Sequence, residues 1–399
     1  MKRLVAIVVL WLVYRLSALI SFFGRGLRGP ARRGRQHIVL VGTFHNPNWM
    51  KAHVPPILNA NGGNVVLVCD EPVAEFDGLT YACPPAWLSK IISRAGAKFI
   101  WTLKVCLKHR PYLVMGYHIF PAGVTALIAA RLTGAFSGYQ VTAGELELEG
   151  GGWNAENPVL TALGRPSIVV ERAVDAAVNQ FDLVVVRGSR ALRYVTEHGM
   201  QGQTAVITGS VDMPPTTLGF EQRAYDIAFV GRLSEYKRPD RLLTIAAESR
   251  QSGQALRVLM VGDGPDADEL KKLADTLGIA SDVTWTGRRS DVLDLVATAR
   301  LFVLPSRWEG VSIALLEAMG CGCVPVVSNV GDLADVVSKK NGAILDQDDI
   351  DGFRDKIQLF LSDAALWDGL SSASREIAEG KASVASVSDR WRSAFQSLV

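Results

Sequence analysis

The stretch PSRWEGVSIALLEAMGCGCVPVV, residues 305–327, contains the patterns of a turn, a short helix and a buried strand in succession. The apolar run 301–304 before it predicts a strand, the helix is predicted over about 312–319, and 324–327 predicts the next strand. Short apolar strands that alternate with helices indicate a parallel sheet covered on both faces. In such a unit the helix N-terminus directs its free N–H groups towards whatever lies above the carboxyl edge of the sheet.

Two glutamates bracket the start of this helix, Glu309 just before it and Glu317 about two turns inside it. Eight residues of helix span about 12 Å, roughly the length of a sugar-diphosphate-ribose. A carboxylate at each end can accept hydrogen bonds from hydroxyls, and the helix dipole favours phosphate between them. The spacing therefore favours a nucleotide-sugar site, with ordinary helix-start and solvated-face glutamates as the alternative.

The segment resembles the Glu-seven-Glu signature of the retaining glycosyltransferases of family four, which have the GT-B fold and belong to the group 1 glycosyltransferases. Four further blocks follow the order usual in that family: YDIAFVGRLSEYKRPDRLL (225–243), LRVLMVGDGPDADELKKLA (256–274), VTWTGRRSDVLDLVATARLFVLPS (283–306) and NGAILDQDD (341–349). The resemblance covers residues 225–350 and is looser over 36–218. It implies an α/β protein of GT-B architecture, with two Rossmann-like domains facing each other across a cleft.

Domain boundaries follow from two series of alternating strand and helix patterns, the first beginning at 37–42 and the second at Ile227. Residues 212–224 are Pro-rich and lack periodicity, which is typical of a linker. We therefore predict an acceptor-side domain over 36–218 and a nucleotide-sugar-binding domain over 219–379. In the resembled fold the last helix, within 380–399, crosses back to the first domain.

Residues 1–35 are predicted to associate with a membrane. The run 4–23 is apolar apart from Arg15 and two serines, and twenty residues can span a bilayer. Arg15 at mid-span would cost about 2.5–3.5 kcal/mol on insertion scales, whereas a helix lying in the interface avoids that cost. Spanning and lying on the membrane therefore both remain open. The run is long for a cleaved signal peptide, and no small-residue cleavage site precedes the arginines.

Charge is concentrated at the same end of the chain. Residues 1–35 carry eight Lys or Arg and no acid, so the remaining residues have a net charge of −6 although the whole chain has +2. The distribution excludes a nucleic-acid surface on the domains and predicts that they lie on the cytoplasmic face of the inner (plasma) membrane. For a sugar-transferring enzyme, that location favours a lipid-linked glycan acceptor, as in bacterial polysaccharide or glycolipid assembly. Five scattered cysteines are interpreted as reduced thiols.

Candidate residues for the donor follow two predicted strands. Arg232 and Lys237 come directly after a strand, beside Gly231, and two fixed cations suit the charge that develops on a departing nucleoside diphosphate. The resemblance implies that Glu309 holds the hydroxyls of the donor sugar and Glu317 those of the ribose. It also assigns donor contacts to the backbone N–H groups of Val311, Ser312 and Ile313, and to Arg288 in a base-binding loop. Ser312 also suits a helix N-cap, and Arg289 is as good a candidate as Arg288.

Residues 262–267, GDGPDA, formally match a dinucleotide-binding fingerprint. Asp263 and Asp266 would face the pyrophosphate, so we interpret the segment as a strand-to-helix turn in which Pro265 opens the helix. Asp266 and Asp268 then serve as acids at a helix N-terminus rather than as metal ligands. No cofactor and no essential metal are predicted.

The first domain offers three weaker candidates. His118 resembles the family's histidine near the donor sugar, with a hydrogen-bonded core histidine as the alternative. His45 lies in a loop that replaces the usual Gly-rich one, and Glu147 lies in a run of alternating acids that leads into three glycines. Both are acceptor-side candidates, although Glu147 also suits the solvated face of an edge strand.

The sequence and its resemblance thus predict a retaining, metal-independent transferase. It would move a hexose-type sugar from a UDP- or GDP-sugar to a hydroxyl, without a covalent intermediate. Two alternatives remain: a nucleotide-sugar epimerase or hydrolase of the same fold, and a non-catalytic membrane-bound scaffold.

Overall fold

The computed structural model describes residues 2–24, 37–44, 46–142, 144–153 and 157–398. The chain forms two compact units. Unit 1 comprises Met1–Gly209 with Val387–Val399, and unit 2 comprises Ser210–Ser386. The division falls before residue 218, the end of the predicted first domain. Residues 212–224, the predicted linker, thus lie within unit 2.

Unit 1 contains a seven-stranded parallel sheet in the order β3-β2-β1-β4-β5-β6-β7. Its central strands are short, fully buried runs rich in valine and leucine, as expected for a sheet covered on both faces. The strands are β1 (Ile38–Val41), β2 (Val65–Val68), β3 (Leu79–Tyr81), β4 (Leu113–Tyr117), β5 (Phe136–Gln140), β6 (Leu183–Val186) and β7 (Gln203–Val206).

Seven helices of unit 1 precede or connect these strands: α1 (Lys2–Gly24), α2 (Pro47–Asn61), α3 (Ala86–His109), α4 (Val124–Thr133), α5 (Pro158–Thr161), α6 (Ile168–Val178) and α7 (Ser189–Glu197). The two faces of the sheet carry separate apolar cores. An eighth helix, α14 (Val384–Gln396), follows unit 2 in the chain, and its Val387, Trp391 and Phe395 pack into the core of unit 1.

Helix α1 packs along unit 1 instead of standing apart from it. Its buried residues recur every three or four positions, which places Leu10, Tyr14 and Ser17 on one face, against α4 and α6. The buried Arg131 of α4 donates a hydrogen bond to Ser21 Oγ at 2.7 Å. The opposite face exposes a row of large apolar side chains: Leu4, Val5, Val8, Val9, Leu12, Leu16, Leu19, Phe22 and Phe23. Among the described helices, α1 alone has the length and composition to cross a membrane.

Unit 2 contains a six-stranded parallel sheet in the order β10-β9-β8-β11-β12-β13. The strands are β8 (Tyr225–Val230), β9 (Val258–Val261), β10 (Val283–Gly287), β11 (Ala299–Leu304), β12 (Val324–Ser328) and β13 (Ala343–Leu345). The helices are α8 (Pro239–Gln251), α9 (Ala267–Thr276), α10 (Val292–Val296), α11 (Ile313–Gly320), α12 (Ile350–Ser362) and α13 (Ala364–Ala382). Strand order reverses between β8 and β11, which is where doubly wound sheets bind ligands.

The segment predicted as a linker is packed onto unit 2. The buried Arg223 donates hydrogen bonds to the carbonyl oxygens of Ala299 and Cys321. Arg375 donates to Pro214 O at 2.6 Å, and Met213 fits against Gly320. Prolines without periodicity therefore marked irregular backbone here, and that backbone is held by the buried Arg223 and the half-buried Arg375.

Candidate functional site

Two loops of unit 2 meet at the carboxyl ends of neighbouring strands. Strands β8 and β11 pair in parallel, so the loops that follow them, 231–238 and 305–312, leave the same edge of the sheet. The amide of Arg307 donates to Tyr236 O at 2.8 Å, and the rings of Tyr236 and Trp308 are 5.7 Å apart. These contacts hold the two loops together.

The two loops bring Lys237 and Glu309 into contact. Lys237 Nζ lies 2.5 Å from Glu309 Oε1, and Ser306 Oγ donates to the same oxygen at 2.7 Å. The Glu309 side chain is only 7% exposed, whereas Lys237 is 26% exposed. The pair therefore forms a partly desolvated salt bridge in which one end can still be reached by a ligand.

A glycine packs against the backbone of Glu309. Gly331 has φ 52°, and a Cβ placed on it would lie 1.6 Å from Glu309 O. Only a residue without a side chain fits this approach. The sequence analysis did not single out Gly331, although its position after the end of β12 was a usable signal.

Arg232 lies five positions before Lys237, in the loop that follows β8. Its side chain is exposed, and among the described residues none makes a hydrogen bond or an ion pair with its guanidinium. Beside it, the N–H of Gly231 donates to Val261 O at 3.0 Å, which fixes the turn at the end of β8. Arg232 can therefore pair with an added anion without first losing another partner.

Helix α11 begins where the sequence predicted. Ser312 is its N-cap, and Ser312 Oγ accepts a hydrogen bond from Leu315 N at 3.4 Å. Within the described chain, the backbone N–H groups of Val311, Ser312 and Ile313 have no partner. The start of α11 thus keeps the unpaired donors and the positive dipole end that favour phosphate.

Glu317 lies on α11 and is partly buried. Its carboxylate makes no hydrogen bond within the described residues. Burial, and then the negative charge of Asp212, raise the pKa of Glu317 from 4.5 to about 7. An unpaired carboxylate of this kind gains from accepting hydroxyl hydrogen bonds.

The structure distinguishes the two arginines after β10. Arg289 donates to both carboxylate oxygens of Asp291, at 2.8 Å and 2.6 Å. Arg288 is exposed, and in the described part of the chain its side chain has no hydrogen-bond or ion-pair partner. Arg288 is therefore the one that keeps its donors for a ligand.

The segment GDGPDA is a strand-to-helix turn, as predicted, but α9 begins at Ala267 with Asp266 as its N-cap, so Pro265 precedes the helix and does not open it. The segment links β9 to α9, and Asp266 N donates to Leu233 O at 3.2 Å. Gly262 has φ 137°, and its Cβ would lie 1.9 Å from Gly231 O, so this glycine serves the close contact between turns. Asp268 lies in the first turn of α9, where the helix dipole favours an acid. In the described residues no group of three or more potential metal ligands was found, and metal independence stays a prediction.

Unit 1 brings His118 and Glu147 together. His118 follows β4 with φ 64°, and its ring is 53% exposed. Thr142 Oγ1 lies 2.6 Å from His118 Nδ1, and Glu147 Oε2 lies 3.4 Å from the same nitrogen. Thr142 and the buried Glu147 thus orient an imidazole that is otherwise exposed. An isolated surface histidine would lack these contacts, and a core histidine would lack this exposure.

Glu147 itself is buried, which corrects the expectation that it contacts an acceptor directly. Its carboxylate accepts hydrogen bonds from Ile119 N at 2.7 Å, Tyr139 Oη at 2.7 Å and Thr142 N at 2.8 Å. Burial raises the pKa of Glu147, but His118 and the hydrogen bonds outweigh burial and hold that pKa at about 2. Glu147 therefore fixes the loop that carries His118. His45, the other acceptor-side candidate, lies outside the described residues.

Comparisons with known proteins show similarity to glycosyltransferases. Residues 216–377 match the profile of the family described as "Glycosyl transferases group 1". The D-inositol 3-phosphate glycosyltransferase of Rhodococcus opacus is 33% identical over 182 residues, 43% of this chain and 41% of that protein. Its counterpart in Mycolicibacterium smegmatis is 31% identical over 216 residues, 51% of this chain and 49% of that protein. The matched region thus spans half or less of these curated relatives.

Solved structures match over most of the chain. The Anabaena protein Alr3699/HepE in complex with UDP aligns with a TM-score of 0.72 and 17% identity, covering 90% of this chain and all of that one (100%). Sucrose-phosphate synthase from Thermosynechococcus elongatus aligns with a TM-score of 0.69 and 17% identity, covering 91% and 99%. At these identities the likeness establishes the fold alone.

The fold is that of the GT-B glycosyltransferases, with two parallel α/β sheets in one chain. Within it, residues 216–377 of unit 2 are similar to the group 1 glycosyltransferase domain.

Proposed function

We propose that this protein transfers a hexose-type sugar from a nucleotide-sugar donor to an acceptor hydroxyl, with retention of anomeric configuration and without a metal. The observation that carries the proposal is the arrangement in unit 2. The Lys237–Glu309 pair, the guanidinium of Arg232 and the N–H groups at the start of α11 all belong to the carboxyl edge of one sheet. Among the described residues, that guanidinium and these N–H groups have no partner. This combination of cations, N–H donors and a buried carboxylate suits a sugar diphosphate.

The donor would be held at both ends. Glu317 would accept hydrogen bonds from the ribose hydroxyls, because its carboxylate is partly buried and has no partner among the described residues. Glu309 would accept from hydroxyls of the donor sugar through the oxygen that Lys237 and Ser306 do not occupy. The N–H groups at the start of α11 would face the phosphates, and Arg288 would lie at the base.

The chemistry would rest on the leaving group. As the bond between the sugar and the diphosphate breaks, negative charge develops on the diphosphate, and Arg232 and Lys237 neutralise it. Departure and attack on the same face of the sugar would retain the configuration without an enzyme nucleophile. UDP is the donor nucleotide we favour over GDP, since UDP and UDP-glucose are bound in the Alr3699/HepE structures.

The acceptor would be lipid-linked, and the enzyme would act at the cytoplasmic face of the inner membrane. Support comes from α1, whose outer face exposes large apolar side chains, while residues 25–35 add five arginines to the sequence. Because the other face of α1 is packed on α4 and α6, we propose that α1 lies in the interface rather than spanning the bilayer.

Titration calorimetry with UDP and GDP, without metal and then with magnesium, tests the donor site. We expect micromolar binding of UDP that is indifferent to magnesium and strongly weakened by Glu317→Ala. Glu269→Ala, on the first turn of α9, is the control. Binding of neither nucleotide would refute the donor site and favour a non-catalytic scaffold, whereas UDP-sugar hydrolysis that no acceptor accelerates would favour a hydrolase.

Sedimentation with vesicles of phosphatidylcholine and phosphatidylglycerol tests the membrane contact. Leu12 and Leu19 are 42% and 53% exposed, so Leu12→Glu with Leu19→Glu should abolish co-sedimentation without unfolding the protein. Leu359→Glu, at a residue 43% exposed in unit 2, is the control. Equal sedimentation of both variants would contradict the role of α1. Deleting residues 1–35 would be a poor test, because Leu10 and Tyr14 belong to the core of unit 1.

A further inference from the structure

Three polar side chains lie together at the carboxyl edge of the sheet in unit 1. Tyr117 ends β4, Gln140 ends β5, and Arg187 directly follows β6. Tyr117 is in register with Gln140, and Gln140 with Val185. Because side chains alternate along a strand, Val185 and Arg187 point to the same side of the sheet. All three polar side chains therefore project from one face of the sheet at its ligand-binding edge.

Each of these side chains has hydrogen-bonding atoms that are buried and unused within the described residues. Tyr117 is 2% exposed and Gln140 0% exposed. The Tyr117 hydroxyl, both polar atoms of the Gln140 amide and Arg187 Nε have no hydrogen-bond partner in the described protein. Buried polar atoms without partners are costly, and native proteins leave few of them.

Among the described residues, Arg187 contacts His53 and Trp49. It donates to His53 Nε2 at 3.1 Å, and its guanidinium carbon lies 5.9 Å from the centre of the Trp49 ring. Burial, and then the charge of Arg187, lower the pKa of His53 well below its usual value, so His53 is a neutral acceptor. Among the described residues, no carboxylate forms a salt bridge with Arg187.

The charge of Arg187, which no carboxylate among the described residues pairs, indicates the kind of group that could bind there. Buried water could satisfy the Tyr117 hydroxyl and the Gln140 amide, but water does not compensate a guanidinium charge. Glu147 acts on Arg187 through its field, yet its carboxylate already accepts from Ile119, Tyr139 and Thr142. A group with negative charge and several acceptor oxygens would satisfy the guanidinium, the hydroxyl and the amide together.

We propose that Arg187, positioned by His53 and Trp49 and flanked by Tyr117 and Gln140, binds a phosphate group of the acceptor. The assignment to an acceptor rests on the proposed function, whereas the phosphate site itself rests on unit 1 alone. Two sources supply this chemistry: a soluble sugar phosphate, or the phosphate that links a glycan to a lipid.

The test measures the thermal unfolding of the full chain while inorganic phosphate is added. Phosphate should raise the midpoint temperature of the wild type and of the control Arg193→Gln, which removes an exposed arginine of α7. Arg187→Gln should weaken phosphate binding about 10- to 100-fold, the usual range for a charge-assisted contact. Each shift is taken relative to the same variant without phosphate, so a loss of stability does not imitate a loss of binding.

A second variant separates binding from structure. Gln140→Leu replaces a buried amide without partners by an apolar side chain, so the ligand-free protein should be as stable as the wild type or more stable. If the site binds phosphate, the same variant should respond less to phosphate. A full response in Arg187→Gln or Gln140→Leu would overturn the proposal, and so would a wild type that does not respond.

Arg232→Gln in unit 2 distinguishes this site from the donor site. A phosphate response that is lost in Arg232→Gln but retained in Arg187→Gln would assign phosphate to the donor site and overturn the proposal. A wild type that responds to phosphate but does not bind UDP would instead refute the proposed function and leave this site standing. The source of the phosphate is identified with polyprenyl diphosphate and uncharged polyprenol in neutral detergent micelles. If only the diphosphate raises the midpoint temperature, and does not do so in Arg187→Gln, the site binds a lipid-linked phosphate.

Discussion

The two units use the same parallel α/β plan but treat the acids at their ligand-binding edges in opposite ways. In unit 2, Glu317 keeps a carboxylate without partners among the described residues, and Glu309 shares one oxygen with Lys237 and Ser306. In unit 1, Glu147 is 1% exposed and accepts hydrogen bonds from Ile119 after β4, Tyr139 on β5 and Thr142 in its own loop. A polar residue after a strand is thus a ligand candidate only where it retains exposure or unused hydrogen-bonding atoms.

The largest effect that we expect on turnover is at Lys237. Lys237→Ala should lower the rate of UDP release from UDP-sugar about 10²- to 10³-fold, because the charge on the leaving group loses one fixed cation and Glu309 loses its partner. Lys272→Ala, on the exposed side of α9, is the matched control. An initial-rate assay compares the two variants. Equal rates would contradict a role of Lys237 and Glu309 in turnover, and with it the contrast between the acids of unit 2 and Glu147 of unit 1.

The other half of the comparison predicts an effect on stability at Glu147. Its pKa in the folded protein, about 2, lies below the value of 4.5 for a free glutamate, so its ionised form stabilises the fold above pH 4.5 and this contribution is lost as the pH falls towards 2. The shift corresponds to about 3 kcal/mol.

Glu147→Gln should therefore lower the free energy of unfolding by about 3 kcal/mol at neutral pH, with a smaller difference from wild type below pH 4. Urea denaturation at a series of pH values measures this difference. Glu149→Gln, at an exposed acid two positions further along, should change little. If Glu147→Gln weakened nucleotide binding by unit 2 as strongly as it lowered stability, the effect of Glu147 would not be confined to unit 1.

Backbone contact at Glu309 gives a smaller effect. Gly331→Ala adds a Cβ that would lie 1.6 Å from Glu309 O at a positive φ, and this should cost about 1–3 kcal/mol of stability and displace Glu309. Gly310→Ala is the matched control, since its Cβ would meet no atom within 4 Å. Thermal unfolding and UDP titration of both variants decide whether Gly331 holds the site, and a stable Gly331→Ala with normal binding would show that it does not.

The smallest effect concerns pH. Because the pKa of Glu317 is about 7 and the proposed contact with the ribose hydroxyls needs the ionised form, UDP affinity should rise from pH 6 to pH 8. If only the ionised form binds, affinity at pH 6 should be about tenfold below its maximum. Calorimetry of wild type and Glu317→Gln tests this, since the variant should bind weakly at every pH. A pH dependence that survives in the variant would belong to another group.

Unit 2 was the more predictable half because its pattern is local. The stretch 305–327 contains a strand end, a turn and a capped helix within one short segment, and the structure forms α11 over Ile313–Gly320 between β11 and β12. Both glutamates belong to that segment. Their partner Lys237 comes from a second loop, but it follows a strand of similar clarity.

Unit 1 was less predictable because its groups meet over long sequence separations. Strand β5, Phe136–Gln140, lacks a continuous apolar pattern, because Ser137 and Gly138 interrupt it and Gly138 packs on Met115. His53 and Arg187 lie 134 positions apart in the chain. Nothing local in the alternating acids around Glu147 indicates that this one folds inwards, because its partners belong to β5 and to the start of the loop after β4.

Helix α1 also has a consequence for how the chain is made. Its docking partners, α4 and α6, follow it by more than a hundred positions, as the bond from Arg131 to Ser21 illustrates. Because a chain emerges from the ribosome in sequence order, both faces of α1 are exposed until α4 and α6 have been synthesised. If α1 binds the membrane as proposed, the nascent helix meets the bilayer before it meets its own protein, and the rest of unit 1 folds at the membrane surface.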